Sequence, residues 1–231
     1  MDERLLQHLR EFDTPTICNA IEDALGHRST EGFTRGHTMI AAFPHAKPIV
    51  GFAKTATIRA SAPSAMDKAA ARALRLAYYE YAQSEPRPTL VVIQDLDETP
   101  GTGAFWGEVN TAIHKGLGVE GCVTNGSIRD LDMVAPEFQL IAGSIGPSHA
   151  FVHLVEIRVP VTIYGMRVND GDLVHADRHG ATVIPRDVIA RMPESIDRVI
   201  RQEKPILAAA RSEGFDVAML ARAMAEADEI H

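Results

Sequence analysis

Within the stretch WGEVNTAIHKGLGVEGCVTNGSIRD, Glu108 is followed after twenty intervening residues by the adjacent pair Arg129 and Asp130. Two carboxylates with room for water between them are hard oxygen donors. They suit Mg²⁺, which retains much of its hydration shell in protein sites. The neighbouring arginine offers a permanently charged planar fork that matches a carboxylate with two parallel hydrogen bonds. Glu108 falls in the first turn of an expected helix that opens at about Gly107, so the unpaired amides of Val109 and Asn110 are placed to hold a small anion. Together these groups describe a site for a metal-chelated 2-oxo acid. The same spacing also fits a plain reading, a surface ion pair between Arg129 and Asp130 and a glutamate that stabilises a helix start.

For that site to exist, two strand exits must lie side by side. TLVVIQD is a short apolar run of the kind that forms a strand buried on both faces, and GCVTN is a second one. Ligands in open α/β sheets settle beyond the carboxyl ends of such strands. Around them the pattern predicts an amphipathic helix on Leu5, Leu6, Leu9 and Phe12. A second helix spans DTPTICNAIEDALG, with Thr14 as cap, Pro15 in the first turn and Gly26 at the end. A weak strand is expected at Thr38 to Phe43 and a strong one in PIVGFAKTATIRA. An Ala-rich helix should open at Ser64 and Asp67 and run to about Gln83. The loop DLDETPGTGAF reads as a flexible rim of the site. QLIAG is a further strand, and HLVEIRVPVTIYGMRV, LVHAD and ATVIP form a more antiparallel set around the turns NDG and RHG. A helical tail follows from about 186 to 231, interrupted at Pro193 and Pro205. The fold class is α/β, with a mixed sheet, flanking helices and one domain over residues 1–231.

Composition narrows the function. Acidic residues outnumber Lys and Arg by 31 to 23, a net charge of −8, so the chain lacks the basic footprint that nucleic acid or an anionic membrane selects. No run approaches ~18 consecutive apolar residues, so no membrane span is expected. The N-terminus MDERLLQHLREF does not have the layout of a secretory signal. Two distant cysteines, Cys18 and Cys122, argue against a disulfide framework and fit a cytoplasmic protein with buried thiols. His149 with His153, and His175 with His179, share a four-residue spacing known from zinc sites, but neither pair reads as helical and no HExxH occurs. GTGAFW lacks the third glycine of a dinucleotide loop, which falls at Trp106. Trp106 is a pocket wall or a core anchor, and Ser127 has no nucleophile-elbow context.

At Glu108, Arg129 and Asp130 the sequence resembles the RraA-like family, which includes 4-hydroxy-4-methyl-2-oxoglutarate aldolases, oxaloacetate decarboxylases and regulators of ribonuclease E activity. The motif carrying the likeness is the acidic residue, twenty residues and Arg-Asp. The TPTICNAIEDALG, GFAKTATIRA and NDGDLVHADRHGATVIP segments extend it over most of the chain. The resemblance implies a layered sandwich of the swivelling phosphohistidine-domain type, assembled as a homotrimer or homohexamer. It also implies a class II, Mg²⁺- or Mn²⁺-dependent lyase that releases pyruvate from a small 2-oxo acid. In that reading the metal is held directly by Asp130 and through water by Glu108. A neighbouring subunit's tail supplies an acid to the site, for which Glu203 in RQEKPIL is the nearest candidate. Gly107, Val109, Asn110 and Arg129 bind substrate. The chain departs from the familiar pattern in having Glu108 for Asp, Asn125 where TDG is common, and Pro205 near the expected tail acid. The alternative within the family is a non-catalytic regulator that binds a protein partner, a branch in which loss of an acidic residue at the site is expected.

Overall fold

The computed structural model describes residues 2–230; Met1 and His231, the two ends of the expected 1–231 span, lie outside the described residues. In chain order the elements are α1 (Glu3–Leu9), α2 (Thr14–Leu25), β1 (Ile40–Ala41), β2 (Ile49–Arg59), α3 (Lys68–Ala82), β3 (Thr89–Asp95), α4 (Glu108–Gly116), β4 (Val119–Thr124) and β5 (Ser127–Ile128). They continue with β6 (Gln139–Ala142), β7 (Ser144–Ile145), β8 (His153–Ile157), β9 (Val161–Ile163), β10 (Met166–Val168), β11 (Leu173–Asp177), β12 (Gly180–Ile184), α5 (Met192–Ala210) and α6 (Val217–Asp228). By internal contacts the chain divides into two compact units, Met1–Thr14 with Thr30–Arg186, and Pro15–Ser29 with Asp187–His231.

The first unit is built on a mixed sheet in the order β1-β6-β4-β3-β2-β11-β12, with β8 also paired to β2. Its middle, β6-β4-β3-β2, is parallel, and the flanking pairs are antiparallel. β2 serves two partners in succession. Ile49 to Phe52 pair with β11, while Ala56 to Arg59 pair with β8, with a register shift between Thr57 and Ile58. The central strands are apolar without alternation because both faces are covered. Val91 and Ile93 of β3 pack on the side that holds Tyr78, Tyr81 and Ala82 of α3. Leu90 and Val92 face the hairpin side chains Val161, Ile163, Met166 and Val168. Each fully buried aliphatic side chain of this kind contributes about 1.5–3 kcal/mol.

The second unit contains most of α2 with α5 and α6. Within it Arg198 pairs with Asp23 at 3.5 Å and with Glu194 at 2.8 Å, and Gln202 donates to the Ile230 carbonyl at 3.0 Å.

Several expectations shift in detail. The weak strand at 38–43 contracts to β1. Ser64 does not open α3; Asp67 caps it by accepting from the Ala70 amide at 2.8 Å, while the Ser64 hydroxyl accepts from Met66. Thr14 lies inside α2, its own amide bonded to Asp177 Oδ2 at 2.9 Å. The tail does not break at its prolines. Pro193 occupies the first turn of α5, where its missing N–H costs nothing, and α5 continues through Pro205 to Ala210. Among the described residues no helix is long and apolar enough to cross a membrane.

Candidate functional site

β3 and β4 are adjacent and parallel, so both their carboxyl ends open on one edge of the sheet. There Asn125 ties them together, accepting from the Asp95 amide at 2.7 Å and donating to the Asp95 carbonyl at 2.9 Å. The Asp95 side chain accepts from Gly101 at 2.7 Å and from Asp97 at 3.0 Å, so the 96–105 loop is tied to the end of β3 at two points. Burial raises the Asp95 carboxyl above its ordinary range. Burial would raise Asp97 too, but the amides of Ala60 and Ser61 and the Ser61 hydroxyl hold it below that range.

The loop returns to the sheet at Trp106, which bridges to Ile128, and its carbonyl accepts from the Arg129 amide at 2.9 Å. This pairing delivers the start of α4 to the Arg129-Asp130 turn. Asp130 adopts a left-handed conformation, φ 55° and ψ 42°, which a short polar side chain tolerates better than most. Its Oδ2 lies 3.3 Å from the Glu108 amide and 3.6 Å from Arg129 Nε. Gly107 makes this possible: a Cβ there would stand 2.5 Å from Asp130 Oδ2 and 3.1 Å from Arg129 Cγ. Asp130 Oδ1 has no hydrogen-bond donor among the described residues, and the side chain is 32% exposed.

α4 starts without a side-chain cap, and its first intrahelical bond is from Thr111 to the Gly107 carbonyl. The amides of Val109 and Asn110 are therefore unpaired by the helix, and both residues line a cleft of about 300 Å³ with Gly107, Arg129, Arg75, Phe105 and His149. The Asn110 side chain is locked, accepting from the Tyr79 hydroxyl at 3.0 Å and donating to the Phe105 carbonyl. Below it His114 Nδ1 donates to the Asn110 carbonyl at 2.6 Å, so Nε2 accepts from the Tyr78 hydroxyl at 2.7 Å. Burial pushes His114 down to about 4, which keeps the ring neutral.

The structure thus brings together Gly107, Glu108, Val109, Asn110, Arg129 and Asp130. Glu108 and Glu203 are both exposed, Glu203 on α5. Arg75 and Tyr79 were not anticipated as site residues, because nothing in their spacing distinguishes them from ordinary surface positions, and His149, singled out only for its spacing from His153, lines the cleft by itself. Trp106 is a core anchor, fully buried against Phe105, His114 and Phe138. The histidine pairs do not act as pairs. His149 and His153 each turn Nδ1 to a nearby carbonyl, of Ala150 and Phe151, while His175 is buried and His179 bonds Asp177. Among the described residues no three His, Cys, Asp or Glu side chains cluster as a metal-binding group. Cys122 is buried as expected, whereas Cys18 is only half-buried.

Comparisons with known proteins agree with this architecture. The model of the RraA-like family, Aldolase/RraA, matches residues 14–183. A Halalkalibacterium halodurans protein named "Putative 4-hydroxy-4-methyl-2-oxoglutarate aldolase" is 28% identical over 189 residues, covering 80% of each chain. An uncharacterized Methanocaldococcus jannaschii protein is 29% identical over 118 residues, and the aligned part is 50% of this chain and 57% of that one. In Legionella pneumophila DlpA the match spans 19% of the longer protein. Among solved structures, an uncharacterized Pseudomonas syringae protein superposes with a TM-score of 0.71 at 22% identity over 98% of this chain and 95% of its own. Streptomyces coelicolor RraAS2, a member of the RNase ES inhibitor RraA protein family, superposes at 0.66 with 24% identity, over 92% and 98%. The family match begins at α2, ends in β12 and encloses the Glu108 to Asp130 segment whole, and on that ground the chain belongs to the RraA-like family.

Proposed function

We propose that this protein is a divalent-metal-dependent lyase that breaks a C–C bond next to a pyruvoyl unit and releases pyruvate. The substrates in view are 4-hydroxy-2-oxo acids such as 4-hydroxy-4-methyl-2-oxoglutarate, cleaved by retro-aldol reaction, and oxaloacetate, which loses CO₂. Both reactions leave the bond's electron pair on the pyruvoyl fragment, so one site serves both. The observation that carries this reading is the convergence of Arg129, Asp130 and the uncapped start of α4 on the Gly107 backbone.

Arg129 and the Val109 and Asn110 amides hold the substrate's carboxylate and keto oxygen, a preorganised set of donors that needs no rearrangement as charge develops. The Tyr79 and Phe105 contacts fix Asn110 so that its amide stays aimed at the cleft. Asp130 fits a metal: its Oδ1 accepts from no donor among the described residues, and a hard carboxylate oxygen suits an ion that keeps most of its water, Mg²⁺ or Mn²⁺. Asp130 would hold it directly, Glu108 through water and Glu203 from a neighbouring subunit. When bound, it supplies Lewis-acid polarisation of the keto oxygen. The resemblance also supports a swivelling-type sandwich and a homotrimer or homohexamer, and the two distant cysteines support a cytoplasmic location. The exposed apolar side chains Leu131 and Met133, directly after Asp130, favour contact with another copy.

Pyruvate release from both substrate types, with added Mg²⁺ or Mn²⁺ and after exhaustive chelation, tests the proposal. Asp130→Asn keeps the shape and removes the charge, so it should lose about a hundredfold or more in rate. Full activity in the chelated protein or in this variant overturns it. Absence of pyruvate from every substrate also overturns it, in favour of the protein-binding regulator.

A further inference from the structure

The cleft contains a cation that the proposed chemistry does not use. Arg75 of α3 lines it together with Arg129, and no Asp or Glu side chain is among the lining residues. Arg75 lies over the Phe105 ring. Its guanidinium carbon stands 5.9 Å from the centroid of the Phe105 ring, and its charge acts on the Tyr79 hydroxyl, opposing the rise that burial gives that group. That hydroxyl donates to Asn110, whose amide lies at the start of α4. Neither contact neutralises its charge, and among the described residues no carboxylate forms an ion pair with it. A half-buried arginine costs desolvation that an anion would offset, and its fork still has donors to give.

Two guanidiniums in a cleft of about 300 Å³, the small end of ligand pockets, describe a short acid with an anionic group at each end. A monocarboxylate held by Arg129 and the α4 amides would leave Arg75 unmatched. Resting on the reading of this cleft as a 2-oxo acid site, we propose that Arg75 is a specificity-determining residue that receives the distal carboxylate of a dianionic 2-oxo acid. Its position over the Phe105 ring places its fork on that side of the cleft. The pyruvoyl end and the distal end are then read by different elements, α4 with the Arg129 turn for one and α3 for the other.

The test compares two stable acids of equal carbon count, 2-oxoglutarate and 2-oxopentanoate, titrated calorimetrically into the full chain with Mg²⁺ present. They differ only in the distal carboxylate. A charge-assisted pair at Arg75 should make 2-oxoglutarate bind roughly tenfold tighter or more. Arg75→Gln should bring that ratio to about one while leaving 2-oxopentanoate unchanged, Arg75→Lys should keep part of it, and Arg129→Gln should weaken both acids. A wild-type ratio near one, a ratio that survives in Arg75→Gln, or no binding of either acid overturns the proposal. An Arg75-dependent ratio in a protein that releases no pyruvate overturns the lyase reading and keeps this one; an active lyase without the ratio does the reverse. For an active lyase, Arg75→Gln should raise KM for dianionic substrates with little change in kcat.

Discussion

At the scale of single residues, the site depends on a missing side chain as much as on those present. Gly107 lets the Asp130 carboxylate and the Arg129 stem lie against the backbone at the head of α4. Gly107→Ala places a Cβ 2.5 Å from Asp130 Oδ2, which must move. Because Asp130 is partly exposed it can swing outward without unfolding the protein, so this variant should keep its melting temperature within a few degrees and lose most lyase activity. Retained activity would show that the Asp130 position is not critical. Glu108 separates from Asp130 by role. Its amide contacts the carboxylate, while its own side chain is exposed at the helix start. Glu108→Gln should therefore retain Mn²⁺ affinity within a few-fold and slow turnover, as expected of a group that orients water around a metal. Complete loss of Mn²⁺ binding on titration would mean that Glu108 is a direct ligand.

At the scale of elements, the join between β3 and β4 is the critical one, because it sets the distance between the 96–105 loop and the Arg129 turn. Asn125 makes it with one donor and one acceptor to the Asp95 backbone. A carboxylate at this position can accept but cannot donate when ionised, and it would face the Asp95 carbonyl. Asn125→Asp should destabilise the chain by about 1–3 kcal/mol, measured by urea denaturation. The loss should shrink at low pH, where a protonated aspartic acid recovers a donor. A variant as stable as wild type at neutral pH would show that the join tolerates the change. Elements were legible where their residues interact locally: the buried runs of β3 and β4, the Gly26 stop of α2, and the helix start at Gly107. The continuation of α5 through Pro205 was not. The local rule that proline interrupts a helix lost to tertiary context, as the rule allows in a long packed helix.

For the whole molecule, two buried histidines tie stability to pH. His114 links α4 to Tyr78, and His175 joins Thr14 to the carbonyls of Leu9 and Phe12, drawing α1, the start of α2 and β11 together. Burial lowers each to about 4, against an ordinary value near 6.5. The folded state thus favours the neutral rings. Their contribution is complete above the unfolded value and is lost as pH falls from about 6.5 to about 4, where the unfolded chain binds the additional protons. Unfolding free energy measured across that window should fall on acidification with a slope approaching two protons from this pair. His175→Gln should reduce the slope by about one proton. A flat profile between 6.5 and 4 would show that these rings do not govern acid stability.

Within the sequence alone lay the α/β class, the two buried strands and the residues Gly107, Glu108, Val109, Asn110, Arg129 and Asp130, because hydrophobic period, helix-start chemistry and a fixed spacing are properties of contiguous chain. Only tertiary structure decided that Asn125 closes the β3–β4 join, that Asp130 takes a left-handed turn against Gly107, and that Arg75 enters the same cleft from α3. These are contacts between segments up to tens of residues apart, and no local propensity encodes them. Arg75 differs in nothing from the other basic residues of its helix except in what the folded sheet brings opposite to it.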